Sequence, residues 1–365
     1  MIMNRLLALC LSPDQGGLEL YILKLTKYYS HDKNFFIACS EKSYISENTH
    51  TNKVECKSGG IFKIIRNFLI LRKFILTHQI NLIHVSWAKD LILAVFLKIL
   101  IPINIKIIFY RQMKLTRPKK NLYHKFLYRN IDLFLVITKK LYMESCEFLP
   151  LDKSKIHILP YGIDKPVIKP SISKEEFFRK YKMDLSKFSI GVFSRIEEQK
   201  GQHIVIDAIK HSEHDIQLFV IGHCMNDKYK SELISRAKKY NLSSKLCFVG
   251  FLKSPMSYMP YFDLIILPTY EETFGLTVVE AMLMSVPVIG SNAGGVPEII
   301  SHKHNGLLFK TRDHNDLMHN IDSLIANKEL RKKIIENGVK SSNKDYDYQK
   351  HFENLEKLMN IVLSS

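Results

Sequence analysis

The order of elements predicts an α/β chain built from two doubly wound, Rossmann-like parallel-sheet domains. Three observations carry this expectation. Short apolar runs rich in Ile, Val, Leu and Phe alternate with longer runs of helical period. Pro160, Pro166 and Pro170 cluster where the alternation pauses, near the middle of the chain. A length of 365 residues exceeds what one ordinary core serves. The composition, 46% hydrophobic and 24% charged, has neither the polarity of a disordered chain nor the apolar excess of a multi-spanning one.

The first strand is expected over "RLLALCL" (5–11), a stretch too short for a signal-peptide core and without a small-x-small cleavage site. A helix follows over 18–29, a strand over 34–39, a helix over 61–76, and strands over 81–87, 105–110 and 131–137. The most apolar window, 91–109, is interrupted by Lys98, Pro102, Asn104 and Lys106, which predicts a buried helix, a proline break and a strand in place of a membrane span. The proline cluster reads as a stiff interdomain linker. Beyond it come strands over 188–194, 216–222, 245–250, 264–268 and 286–291. The chain ends in an amphipathic helix with Phe352, Leu355, Leu358, Met359 and Val362 on one side. The expected domains are residues 1–165, joined by a last helix over about 346–365, and residues 166–345.

The net charge is +17. Residues 1–165 hold 26 Lys and Arg against 12 Asp and Glu, while 166–365 hold 27 against 24, so the first half carries the excess. That asymmetry suits a phosphate-bearing partner, and equally a merely basic surface. Lys63, Arg66, Arg72 and Lys73 lie among bulky apolar residues, and 111–129 interleaves cations with Tyr123, Phe126 and Tyr128. Both segments suit an anionic membrane surface, an amphipathic core helix and a solvated loop being the bland alternative. Six cysteines without a C-x-x-C pair indicate a reducing, cytoplasmic setting, and the basic segments of the first half suggest peripheral attachment to the inner face of the membrane.

In an open parallel sheet, ligands bind at the carboxyl ends of strands, where helix N-termini favour phosphate. "PTYEETFGLTVVEAM" (268–282) places Glu272 in such a loop and Glu280 about one turn inside the next helix, flanked by Val278, Val279, Ala281 and Met282. A carboxylate there needs a partner. Its two oxygens suit a vicinal diol such as a ribose, and the amides of Phe274, Gly275 and Leu276 suit a phosphate or sugar. The spacing equally permits Glu272 to favour a helix N-terminus and Glu280 to meet an internal Lys or Arg. "FSIGVFSRIEEQKG" sets Arg195 just past a strand and Lys200 five residues later, two cations able to clamp a diphosphate, or else a basic loop paired with Glu197 or Glu198.

Together, "SRIEEQKG", "YEETFGLTVVEAMLMSVPVIGSNAGGVPEII" and "HNGLLF" resemble the C-terminal signatures of the retaining glycosyltransferase family 4, whose E-x7-E element is its best-known mark. The resemblance implies a GT-B fold, two domains facing a cleft with the C-terminal helix packing back on the N-terminal, acceptor-binding domain. It also implies that Arg195 and Lys200 bind the nucleotide diphosphate, Glu272 the donor sugar and Glu280 the ribose. Phe274, Gly275 and Leu276 would offer amides, and Phe251 and Leu252 would border the base. Transfer with retention would need no protein base and no metal or other cofactor. The partners implied are a nucleotide-diphosphate sugar and a saccharide or lipid-linked acceptor, in cell-surface polysaccharide or lipopolysaccharide synthesis.

The resemblance reaches the first half through "GGLE", placing Gly16 and Gly17 beside the donor. His84 resembles the first His of a common H-x-H whose second position is Ser86 here. Arg111 or Gln112 stands where many relatives have a His, which suggests an Arg that meets a phosphate or acidic acceptor. Thr138 either faces the cleft or caps a helix. Other departures are Ser194 and Ser285 for Gly, Tyr161 for Asn, and "GHC" (222–224) for a Gly-rich turn. The D-x-D at Asp345 and Asp347 lies in a polar stretch, and His302 and His304 lack companion ligands, so neither indicates a metal. A dehydrogenase would need G-x-G-x-x-G where the chain reads "SPDQGG". No nucleic-acid module is recognisable, and a sugar-nucleotide epimerase of the same fold is the closer rival.

Overall fold

The computed structural model describes residues 5–49, 52–57, 61–166, 169–210 and 212–364. The chain divides into two compact units, Met1–Pro160 with Gln349–Ser365, and Tyr161–Tyr348. The changeover falls ahead of the expected boundary at 165 for a packing reason. Tyr161 sets its ring edge-on to Phe274 at 5.2 Å, and Ile163 bridges Asp347, so these residues already belong to the second unit.

The first unit is built on seven parallel strands: β1 (Leu6–Cys10), β2 (Phe35–Ser40), β3 (Lys53–Cys56), β4 (Leu82–Val85), β5 (Lys106–Arg111), β6 (Leu133–Val136) and β7 (Ile156–Ile158), in the order β3-β2-β1-β4-β5-β6-β7. Leu7 pairs with Phe36 on one side and Ile83 on the other. Every residue of β1, β2, β4 and β6 is buried, as a parallel sheet covered on both faces requires. The edge strands β3 and β7 were absent from the sequence reading. "KVEC" alternates charge with apolar residues and "IHI" is three residues long, so neither carries the buried signature, and both suit the edge of a sheet.

The apolar window 91–109 resolves into the helix Leu91–Leu100, a turn containing Pro102, and β5. Among the described residues no helix is long and apolar enough to cross a membrane. The last helix, Tyr348–Ser364, buries Phe352, Leu355, Met359 and Val362 as its periodicity requires, and from Gln349 onward it belongs to the first unit. Phe352 stacks on Tyr28 with centroids 4.6 Å apart. His351 Nδ1 lies 2.7 Å from the Pro160 carbonyl, which can only accept, so Nδ1 carries the proton and Nε2, 3.2 Å from the Tyr21 hydroxyl, accepts.

The second unit has six parallel strands: β8 (Phe188–Phe193), β9 (Ile216–Ile221), β10 (Leu246–Gly250), β11 (Leu264–Leu267), β12 (Val288–Ser291) and β13 (Leu307–Phe309), in the order β10-β9-β8-β11-β12-β13. Ile190, Val192, Leu218, Val220, Ile266 and Ile289 project from the strands into a core closed by Leu317, Ile321 and Leu324 of the helix His314–Ala326. Strand order reverses between β1 and β4 in one unit and between β8 and β11 in the other. Such switch points leave a crevice at the carboxyl edge of each sheet, because the crossovers on either side depart in opposite directions.

Candidate active site

The second unit gathers its chemistry at the β8/β11 switch point. Arg195 and Lys200 follow β8, and Glu272 follows β11. Lys200 Nζ lies 2.9 Å from Glu272 Oε2, both side chains about four-fifths buried. The two motifs thus meet in one ion pair. Arg195 points elsewhere: its guanidinium is 3.0 Å from Glu197 Oε1, with the side chain more than half exposed. Each proposed phosphate ligand is therefore charge-paired in this conformation.

Backbone contacts fix the loops to one another. Tyr270 N donates to the Gln199 carbonyl at 2.9 Å, and Thr269 Oγ1 donates to the same oxygen at 3.2 Å. Gly201 has φ +69, and a Cβ there would stand 2.1 Å from the Pro268 carbonyl oxygen. Gly294, after β12, has φ +61, and a Cβ would stand 1.7 Å from the Glu272 carbonyl oxygen, while the amide of Gly295 donates to that oxygen at 2.9 Å. Only glycine permits these approaches. Gln202, fully buried, donates through Nε2 to Ser194 Oγ at 2.9 Å and to the Arg195 carbonyl at 2.8 Å. Gln202, the residue just after the quoted "SRIEEQKG", and Gly294, inside the longer motif, were passed over in the sequence.

Behind this loop pair lies a relay that the sequence did not disclose. His203 Nδ1 is 2.7 Å from the Tyr229 hydroxyl, and its Nε2 is 2.7 Å from the Tyr270 hydroxyl. A neutral imidazole donates from one nitrogen and accepts at the other, so it can satisfy both tyrosines at once. Burial holds the imidazole below its usual pKa, and the nearby Arg236 pushes the same way. Arg312 sits over the Tyr270 ring, 4.2 Å from its centroid. The relay joins the helix Gln202–Ile209 to the residue two places before Glu272.

The helix Leu276–Leu283 begins at Gly275, φ +110, which has no side chain to cap it, so the N-cap residue supplies no acceptor to the first-turn amides. Phe274 anchors the turn: its ring is 4% exposed and lies edge-on to Tyr161 and Tyr346. Tyr161, the departure from Asn, thus serves as packing for this loop. Glu280 is half-buried, one turn inside the helix as expected. Ser285, the departure from Gly, has φ +60 just past the helix end, where glycine is ordinarily favoured. Phe251, half exposed, stacks on His223 with centroids 4.3 Å apart and planes at 16°, and Leu252 follows it beyond β10.

The first unit's candidates divide. Gly16 is the N-cap residue of the helix Gly17–Tyr28, and a Cβ on Gly17 would meet nothing within 4 Å, so both stand at the carboxyl edge of β1 with open space over Gly17. Thr138 accepts from Leu141 N and is 3% exposed, a helix cap. Arg111 ends β5 and donates through Nε to the Met113 carbonyl at 2.6 Å and through Nη2 to the Lys114 carbonyl at 2.8 Å, which holds its guanidinium against its own loop. His84 has no exposed surface. Tyr21 and Tyr110 flank it, and burial lowers its pKa to about 4, so an acceptor could touch it only after a side chain moves.

Among the described residues no group of three or more His, Cys, Asp or Glu side chains is placed to hold a metal ion. His302 Nδ1 accepts from Leu308 N, and Asp345 ends the helix Lys328–Asp345, so both are absorbed by local structure.

Residues 173–341 match the family model for glycosyl transferases group 1. An uncharacterized glycosyltransferase of Methanocaldococcus jannaschii is 28% identical, over 94% of each chain. A lipopolysaccharide core biosynthesis mannosyltransferase of Rhizobium meliloti is 25% identical over 63% of this chain and 65% of its own. Among solved structures, the Anabaena protein HepE in complex with UDP superposes with a TM-score of 0.85 at 19% identity, covering 98% of this chain and 99% of that one.

Proposed function

As a glycosyltransferase whose residues 173–341 form a group 1 domain within a GT-B architecture, this protein, we propose, moves a sugar from a nucleotide-diphosphate donor to a saccharide or lipid-linked acceptor with retention at the anomeric carbon. The observation that supports the donor reading is the Lys200–Glu272 pair at the β8/β11 switch point. A diphosphate arriving there meets Lys200, already desolvated and fixed, and Arg195, free to swing from its exposed bond to Glu197. Glu272 then exchanges part of its bond to Lys200 for sugar hydroxyls, and Glu280 accepts from the ribose diol. The amides of Phe274, Gly275 and Leu276 receive phosphate or sugar oxygens, and Phe251 with Leu252 borders the base. Gly16 and Gly17 bring backbone near the donor, and Arg111, His84 and Thr138 lie on the acceptor side.

The departing phosphate takes the acceptor's proton on the same face of the sugar, so the protein supplies position and charge stabilisation without a metal. A place in cell-surface polysaccharide or lipopolysaccharide synthesis is supported by relatives named for those processes, including the Rhizobium enzyme and a capsular polysaccharide glycosyltransferase of Staphylococcus aureus. A thermal-shift screen of UDP-, GDP- and ADP-sugars tests the donor class. Stabilisation by one series supports it, and no response to any of them sinks it. Product analysis with and without acceptor separates transfer from epimerisation.

A further inference from the structure

Three helices of the first unit leave apolar ridges uncovered. The helix Ile61–His78 exposes Ile65 and Leu69, the helix Leu91–Leu100 exposes Phe96 and Leu100, and the helix Leu122–Arg129 exposes Leu122 and Phe126. In each case the pair is spaced i, i+4, so it forms a ridge along one side of its helix. The first helix packs beside the second and the second beside the third, with the rings of Phe96 and Phe126 6.3 Å apart. Leu122 is 83% exposed and Leu69 59%. Scattered apolar residues need no explanation, but paired ridges on three adjoining helices mark a surface that meets something apolar.

The charge around them says what. Residues 57–131 contain 15 Lys and Arg and a single acid, Asp90, so this segment alone carries a net +14. Asp90 is 4% exposed and accepts from the Leu11 amide, so it offers the surface no negative charge. Lys63, Arg66, Arg72 and Lys73 are exposed on the first helix, and Lys125 and Arg129 on the third. A second copy of this face would repel through its charge, and a nucleic acid would leave the ridges in water. An anionic bilayer satisfies both, with phosphates for the cations and an acyl boundary for the ridges.

We propose that this three-helix face docks on an anionic membrane leaflet, Leu122 and Phe126 entering the headgroup boundary while the surrounding Lys and Arg meet lipid phosphates. The proposal does not rest on the donor chemistry, whose charged residues Arg195, Lys200, Glu272 and Glu280 lie in the second unit. The full chain is mixed with vesicles of phosphatidylglycerol and phosphatidylcholine, or of phosphatidylcholine alone, and sedimented. The expected result is co-sedimentation with the anionic vesicles that weakens as salt rises. Leu122→Glu with Phe126→Glu should weaken the partition at least about tenfold, and Lys125→Ala or Arg129→Ala about fivefold each. Circular dichroism and an unchanged melting temperature show that the variants fold. Equal partition onto neutral and anionic vesicles, no partition at low salt, folded variants that bind like the parent, or a dimer that Leu122→Glu dissolves would each overturn it.

Discussion

Lys200 Nζ and Glu272 Oε2 stand 2.9 Å apart and join the loop after β8 to the loop after β11 across the switch point of the second sheet. Removing either partner strands the other in a pocket about four-fifths closed. Lys200→Ala or Glu272→Ala should each cost about 1–2 kcal/mol of stability, and the double variant should recover about 1 kcal/mol of the sum. Urea unfolding of the four proteins measures it. In turnover, Lys200→Ala should lower kcat about 10²- to 10³-fold, as losing one preorganised group at a developing charge does. Glu280→Ala should also lose most turnover with the fold intact, and normal rates in both variants would refute the site.

Gly294 carries the other half of that arrangement. Because a Cβ would lie 1.7 Å from the Glu272 carbonyl oxygen, Gly294→Ala must push the Glu272 loop away, and it should lower both the melting temperature and kcat. Gly17→Ala is the informative partner. With nothing within 4 Å of its Cβ, the substitution should leave the melting temperature unchanged while raising the KM for donor if the backbone approaches a phosphate there.

Ser285 has φ +60 after the helix Leu276–Leu283, a conformation that an L side chain pays for and glycine does not. Ser285→Gly should therefore stabilise the protein by about 0.5–1 kcal/mol, less than the full conformational cost because glycine also loosens the unfolded chain. Denaturant midpoints at constant slope give the value, and kcat should not move.

His203 touches Tyr229 with Nδ1 and Tyr270 with Nε2, and amides can replace one nitrogen at a time. His203→Gln places its amide near the Nε2 position and keeps the link to Tyr270, whereas His203→Asn reaches only the Nδ1 position and keeps the link to Tyr229. If Tyr270 transmits the position of Glu272, kcat should fall about tenfold in His203→Asn and Tyr270→Phe and stay near the parent in His203→Gln. Equal rates in both His203 variants would show that the relay only packs.

Buried imidazoles make the first unit sensitive to acid. Burial lowers His84 and His351 to about 4 and raises Asp90 to about 7. Between about pH 4 and 6.5 the unfolded chain binds both histidine protons and the folded chain neither, whereas the folded chain alone keeps the Asp90 proton. The balance is one more proton on the unfolded chain, so stability is present near pH 6.5 and falls by ~1.4 kcal/mol per pH unit as pH drops toward 4. The Asp90 contribution runs the other way, being lost as pH rises toward 7. Melting temperatures from pH 4.5 to 7 test the slope, and His84→Phe should flatten it.

The alternation of runs in this chain determined the two parallel sheets, and the loops after "FSIGVF" and "LIILP" singled out the charged residues Lys200 and Glu272 that meet at the switch point, because a buried strand must be apolar throughout and a strand-end loop is where polar residues recur. The edge strands β3 and β7 escaped, since a strand paired on one side needs no such run. Tertiary structure alone decided which groups meet. Seventy-two positions separate Lys200 from Glu272, and no spacing rule reports a contact made by crossing from one strand end to its neighbour. The same holds for His203 between Tyr229 and Tyr270, and for Gly294 against the Glu272 backbone. Arg111 shows the converse: residue type suggested a ligand contact, while short-range geometry turned its guanidinium to the carbonyls of Met113 and Lys114, because backbone groups a few positions away are the partners most readily reached, and Thr138 takes the helix cap that was one of its two readings.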